Sequence, residues 1–251
     1  MGPEVRTLKI TLQYDGGAFC GFQQQRGLRT VQQVLEEGLG QVFGHDVRVT
    51  GAGRTDAGVH ALGQVVSTTC RGSIPTARIV QAANSVLPDD LALSSAEEVA
   101  PGFHARRDAV GKTYRYVFDT SPARSPFRQR YSLYVGRDLD CGAMDEASKR
   151  FEGRHDFSAF RATGSSVKTS VRTVTAARVQ EAPCFRGCIA FEITADGFLY
   201  NMVRIMAGLL LDVGTGRVDV EEVRAIIESR ERSRVGATLP AAGLWLVCVQ
   251  Y

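Results

Sequence analysis

The chain has 251 residues, 44% hydrophobic and 23% charged with no low-complexity tract, which excludes disordered and fibrous classes and allows one large domain or two modest ones. A net charge of +3 is too small to imply a polyanionic partner by itself. The six cysteines contain no Cys-x-x-Cys pair and the four histidines do not cluster with them, so the pattern predicts buried free thiols rather than a zinc site or a disulfide framework.

Leu8, Ile10, Leu12 and Tyr14 alternate with polar residues and run into Asp15-Gly16-Gly17, the pattern of a strand ending in a tight turn. Thr30 and Gln33 form a capping-box pair before a helix whose Val31, Val34, Leu35, Leu39 and Val42 share a face, with Gly44 at its end. Short strands are expected at 47–50 and 64–68. Pro75 at a first helical position opens a second helix that ends near Val86, and a strand over 91–99 closes this half.

A strand at 112–118 follows, then a helix from Cys141 to Glu152 stopped by Gly153, and strands at 173–179 and 188–194. Two more helices are expected, 200–213 and 220–229, the second starting at Asp219. The chain ends in Leu244-Trp245-Leu246-Val247-Cys248-Val249, apolar on both faces as in a central strand. Strands with helices interspersed, rather than strict alternation, predict an α+β fold of two similar halves, divided as residues 1–105 and 106–251.

Residues 1–9 lack a basic segment followed by an apolar core, and the longest nearly apolar run, 198–211, contains Asn201 and Arg204 and is too short to span a bilayer. The expectation is a cytoplasmic protein with no membrane partner. Charge distribution says more than net charge. From His104 to Arg137 there are eight Lys or Arg side chains against Asp108 and Asp119. That local excess suits RNA or another polyanion.

Gly51-Ala52-Gly53-Arg54-Thr55-Asp56 begins like a dinucleotide-binding fingerprint, but Asp56 occupies the third glycine position, where a carboxylate would repel a pyrophosphate. Gly111-Lys112-Thr113 imitates the end of a phosphate-binding loop, yet Arg106 stands where its first glycine is required and a strand follows instead of a helix. What remains is an aspartate flanked by glycines, with Arg54 before it and His60 after. Glycines let backbone approach a ligand closely, although an aspartate in such a turn can simply bond nearby amides.

Seven segments in order resemble the tRNA pseudouridine synthase A family of bacteria: Tyr14-Asp15-Gly16, Gly53-Arg54-Thr55-Asp56-Ala57-Gly58-Val59-His60, Gly63-Gln64-Val65, Phe103-His104-Ala105-Arg106, Lys112-Thr113-Tyr114-Arg115-Tyr116, Met202-Val203-Arg204 and Gly243-Leu244-Trp245-Leu246. Two positions depart from that pattern, Phe22 for a common tryptophan and Trp245 for a common tyrosine. The resemblance implies the pseudouridine synthase fold, with a mixed, mainly antiparallel sheet and a central basic cleft. It also implies a homodimer, a tRNA substrate modified at positions 38 to 40 of its anticodon arm, and no cofactor or metal.

The same resemblance assigns roles. Asp56 matches the catalytic nucleophile, Arg204 the arginine that pairs with it, and Tyr114 the tyrosine that stacks on the target uracil. Arg54 would fill the place of the extruded base, while His60 and Arg106 would contact the RNA backbone or support the loop. A weakly basic carboxylate suits a nucleophile that must add and leave again. Attack at C6, attack at C1′ and removal of a sugar proton all remain open routes. A non-catalytic RNA-binding protein on the same scaffold is the rival reading, and an aspartate-dependent hydrolase lacks the second carboxylate or metal ligands it would need.

Overall fold

The computed structural model describes residues 5–164, 169–183 and 185–251. Ten strands and five helices follow in chain order among them: β1 (Val5–Tyr14), α1 (Val31–Phe43), β2 (Val49–Gly51), β3 (His60–Arg71), α2 (Thr76–Asn84), β4 (Leu91–Val99), β5 (Gly111–Asp119), β6 (Leu133–Tyr134), α3 (Cys141–Lys149), β7 (Gly153–Asp156), β8 (Val171–Glu181), β9 (Cys188–Ala195), α4 (Met202–Gly214), α5 (Glu222–Ser229) and β10 (Leu244–Gln250). The chain forms two compact units, residues 1–110 with 246–251, and residues 111–245. The fold is α+β. Strand pairing is antiparallel between β1 and both β3 and β4, between β2 and β3, and along β5, β9, β8 and β7, while the short β6 joins β5 in parallel.

In the first unit β1 is the organising strand. Its alternate residues Leu8, Ile10, Leu12 and Tyr14 are buried, as their period of two requires. Helix α1 starts where Thr30 Oγ1 accepts the Gln33 amide at 3.4 Å and stops at Gly44, whose φ of 72° is the left-handed conformation that favours glycine. Val31, Leu35 and Leu39 face the core; the buried Glu36 accepts from the Val49 amide at 2.9 Å and tethers the helix to β2. Helix α2 is tied to β4 by Asn84, whose side chain both donates to and accepts from the backbone of Leu93.

In the second unit Tyr116, Phe118, Phe151, Phe157, Phe160 and Phe191 are fully buried. On β9, Glu192 is held by Arg115 of β5 and Arg178 of β8, with Arg115 Nε at 2.7 Å and Arg178 Nε at 3.0 Å. The sequence showed Arg115 in a basic cluster and in a family-like segment, without its partner. Its cross-strand acid was invisible there because strand register, not chain proximity, brings them together.

Element boundaries differ from expectation for local reasons. Pro75 is the cap rather than the first residue of α2, with ψ of 138°. Helix α4 begins at Met202 because Asn201 takes the left-handed conformation, φ 59°. Helix α5 begins at Glu222 rather than Val220, and α3 ends at Lys149 rather than Glu152. Strands β3 and β8 are longer than their apolar runs; the polar β7, Gly-Arg-His-Asp, carries no alternation that could have announced it.

The described cysteines are all free: Cys70 and Cys188 are buried, but Cys20, Cys141 and Cys248 are only half-buried, against the expectation for them. Cys184 and residues 1–4 of the N-terminal stretch lie outside the described residues. Among the described residues no helix is long and apolar enough to cross a membrane.

Glu192 gives the fold a pH signature. Burial pushes its carboxyl up, but the hydrogen bonds and charges of Arg178 and Arg115 outweigh that and hold it below the usual glutamate value. Its contribution is therefore complete above the unfolded-state pKa of about 4.3 and is lost as pH falls through the lower folded value. Glu192→Gln should cost roughly 1–3 kcal/mol at pH 7 and flatten the fall in stability on acidification below about pH 4, both measured by denaturant unfolding.

Candidate active site

The loop between β2 and β3 carries Arg54, Asp56 and the approach to His60. Both sides of it are gripped. On one side Phe22 N donates to Thr55 O at 3.0 Å and Tyr14 Oη shares a hydrogen bond of 2.8 Å with Thr55 Oγ1. On the other side Gln64 Nε2 donates to Gly53 O at 2.9 Å, and Val59 N closes a turn onto Asp56 O at 3.1 Å. Asp56, half-buried, thus follows the anchored carbonyls of Gly53 and Thr55, and its own carbonyl is held by Val59.

The grip depends on absent side chains. A Cβ on Gly16 would lie 2.0 Å from Val59 O, and one on Gly21 would lie 2.9 Å from Thr55 O. Gly21 also has φ of 87°, so it is required twice over. Gly51 leaves room for the Phe22 ring, which a Cβ there would meet at 2.5 Å. Phe22 therefore has a packing role at the base of the loop, and its amide holds Thr55. Burial raises the Tyr14 hydroxyl to about 12, although its hydrogen bonds to Thr55 and Gln64 act the other way. It stays protonated at neutral pH.

His60 opens β3 and is fully buried. Its Nδ1 accepts the Gly16 amide at 3.1 Å and lies 3.2 Å from Asp15 Oδ1. The ring latches the Asp15-Gly16-Gly17 turn to the far end of the Asp56 loop. Arg54 is exposed, with its Nε donating to Gln23 Oε1 at 3.2 Å.

Arg106 and Arg107 are exposed on a turn that is itself well fixed. His104 Nδ1 accepts both of their amides, at 3.2 and 3.3 Å, and Asp108 Oδ2 accepts the His104 amide at 2.8 Å. Ala105 is pinned by Ser67 Oγ and by the hydroxyl of Tyr251. The two guanidinium groups project from a rigid base.

In the second unit Tyr114 lies on β5, 8% exposed, with Phe198 packed edge-on at 5.0 Å between ring centroids. Phe198 belongs to the segment that leads into α4, whose third residue is Arg204. Arg204 is half-buried rather than snorkelled into solvent: its Nε donates to Leu239 O at 2.6 Å and one terminal nitrogen to Asn201 Oδ1 at 2.8 Å. The left-handed turn at Asn201 is what aims that side-chain oxygen back at α4. Gly208, where a Cβ would meet Ala237 O at 2.3 Å, lets the 237–239 segment approach the same helix.

Arg54, Asp56 and His60 are thus brought onto one braced loop, with Arg106 in the same unit, while Tyr114 and Arg204 belong to the other. Sequence reasoning missed Tyr14, Gln64 and Gly21 as supports of Asp56, and Asn201 and Leu239 as partners of Arg204. Tyr14 and Gln64 lay in quoted motifs, but only pairing of β1 with β3 shows what they hold. Among the described residues no group of three or more His, Cys, Asp or Glu side chains could hold a metal ion.

The family profile described as tRNA pseudouridine synthase matches residues 10–108 and 147–251, a span that includes Arg54, Asp56, His60, Arg106 and Arg204 but not Tyr114. The tRNA pseudouridine synthase A of Acetivibrio thermocellus is 44% identical over 247 residues, covering 98% of this chain and 100% of the relative. That of Pelobacter propionicus is 44% identical over the same shares, and that of Caldicellulosiruptor saccharolyticus 41% identical over 251 residues. With a family match over most of its length and relatives aligned from end to end, this chain belongs to the tRNA pseudouridine synthase family.

Proposed function

We propose that this protein isomerises uridine to pseudouridine at positions 38 to 40 in the anticodon arm of tRNA, with Asp56 as the nucleophile. The observation that carries the reading is an aspartate that directly follows the anchored Gly53 and Thr55 carbonyls and whose own carbonyl accepts the Val59 amide, in a chain whose family is tRNA pseudouridine synthase. A loop held on both sides supplies a carboxylate already in place, which reduces the entropy lost on reaching a reactive geometry.

The reaction breaks the bond from N1 to C1′, turns the uracil, and joins C5 to C1′. C5 loses a proton and N1 gains one, so atoms and electrons balance without an oxidant, a reductant or a cofactor. A stacked uridine must first leave its neighbours, at a cost of a few kcal/mol. In this reading Arg54, exposed at the loop surface, steadies the RNA where the base has left. His60 supports the loop from inside, and Arg106 meets phosphate.

Tyr114 is assigned to stack on the extruded uracil, and Arg204 to pair with Asp56 and keep it ionised and oriented. The bonds that fix Arg204 to Leu239 and Asn201 support this role, because they hold the guanidinium in place. The first unit would then carry the nucleophile and the second the stacking and charge-pairing side chains. We assign the working form as a cytoplasmic homodimer on the strength of the resemblance.

Asp56→Ala should abolish pseudouridine formation in unmodified tRNA while changing tRNA affinity by no more than about threefold, measured by pseudouridine mapping and filter binding; undiminished product removes the mechanism. The affinity of the wild-type protein should fall steeply with salt. Replacing Arg106 or Arg107 by alanine should reduce the slope of log affinity against log salt by about one for each phosphate that the arginine neutralises. A salt response unchanged in both variants places the RNA on another surface.

A further inference from the structure

We propose that the loop between β5 and β6 is a second RNA-contact surface, on which Phe127 stacks against an unpaired base of the tRNA. The proposal rests on the functional reading above and extends it to residues that the sequence motifs did not single out. Phe127 is 85% exposed, more than any other large hydrophobic side chain among the described residues. A single exposed apolar side chain is ordinary. Its setting is not.

The loop that carries that ring has a fixed backbone. Arg128, the next residue, reaches the buried carboxylate of Asp119 at 3.1 Å and also Ser121 Oγ at 3.1 Å. Ser121 itself bonds Asp119 through both its hydroxyl and its amide. Ser132 Oγ donates to Arg128 O at 2.9 Å, Tyr134 Oη to Pro122 O at 3.2 Å, Trp245 Nε1 to Tyr131 O at 3.1 Å, and Thr120 Oγ1 to Gly187 O at 3.1 Å. The amides of Arg128 and Gln129 both turn back onto Ser125 O. Pro122 and Pro126 limit the backbone further. The backbone that carries the ring is therefore fixed, and little backbone entropy is left to lose when something covers it.

The chemistry around it selects the occupant. From Thr120 to Arg137 the chain has no acidic residue, and besides Arg128, which is tied to Asp119, it has the exposed Arg124, Arg130 and Arg137, interleaved with Phe127, Tyr131 and Tyr134. Arg124 is exposed and lies over the Tyr134 ring at 5.9 Å. A two-fold contact between copies of this chain through this surface would set arginine against arginine. RNA meets both features at once, since phosphates answer the arginines and every base has a face for an aromatic ring.

The test compares wild type with Phe127→Ala, Phe127→Trp and Arg124→Gln, reading tRNA affinity as a function of salt, steady-state pseudouridine formation, thermal stability and sedimentation. We expect Phe127→Ala to weaken tRNA binding about tenfold or more with an unchanged salt slope, because a stacked base carries no counterion release. Its kcat at saturating tRNA, melting temperature and sedimentation should match wild type, and Phe127→Trp should restore affinity. Arg124→Gln should lower the salt slope instead. Unchanged affinity in Phe127→Ala overturns the proposal, as does a weakened affinity accompanied by a change in sedimentation, which would make the ring a contact between protein copies. Either result with pseudouridine formation intact in wild type leaves the catalytic reading standing, whereas wild type that forms no pseudouridine overturns both.

Discussion

The placement of the proposed nucleophile depends on a backbone approach that permits no side chain: Gly16 against Val59 and Gly21 against Thr55. These contacts let the end of β1 and the segment leading into α1 close on the Asp56 loop from one side, while Gln64 of β3 holds Gly53 from the other. The loop is short and polar, with little apolar area of its own to fix it. Its order comes from strands that pack for other reasons. Leu8, Ile10 and Leu12 bury β1 in the core, and that burial delivers Tyr14 to Thr55 and Gly16 to His60. The hydrophobic pattern of one strand is thereby converted into the position of a carboxylate.

The arginines divide into two populations that composition cannot distinguish. Arg115 and Arg178 share Glu192, Arg128 holds Asp119, Arg29 makes a paired contact with Asp90, and Arg48 reaches Glu36. These bonds tie separate segments of the chain together, and the planar guanidinium suits them because it can serve two acceptors without losing its charge. Arg54, Arg106, Arg107 and Arg124 are exposed. The basic stretch from His104 to Arg137 mixes both kinds. Arg115 and Arg128 within it are parts of the fold, so the charge offered to a polyanion is smaller than the sequence suggests.

Histidine use follows the same logic. His60 and His104 each use Nδ1 to accept backbone amides, His60 from Gly16 and His104 from Arg106 and Arg107. Both motifs that placed a histidine beside a functional residue have it shaping a turn. Local side-chain bonds of this kind satisfy backbone groups that no strand or helix reaches. They fix the neighbouring residue without touching a ligand, and Asp56 and Arg106 are held in this indirect way.

The α+β class, the strand over β1, the helix that Thr30 opens and Gly44 closes, and Asp56 as an acid where a phosphate-binding loop would need glycine were all legible in the sequence. Each is set by local chemistry: a period of two or 3.6 residues, a cap, or a charge at one position. Element ends were less legible. Asn201 and Pro75 shift helix starts through a left-handed turn and an extended cap, and the polar β7 exists only because β8 offers it a partner. Tertiary structure alone decided that Tyr14 and Gln64 brace Asp56, that Arg204 is tied to Leu239, and that Arg115 belongs to Glu192. The order of residues determines which groups can bond. Strand register and close backbone approach decide which of them meet, because those depend on residues tens of positions apart being brought to within a hydrogen bond.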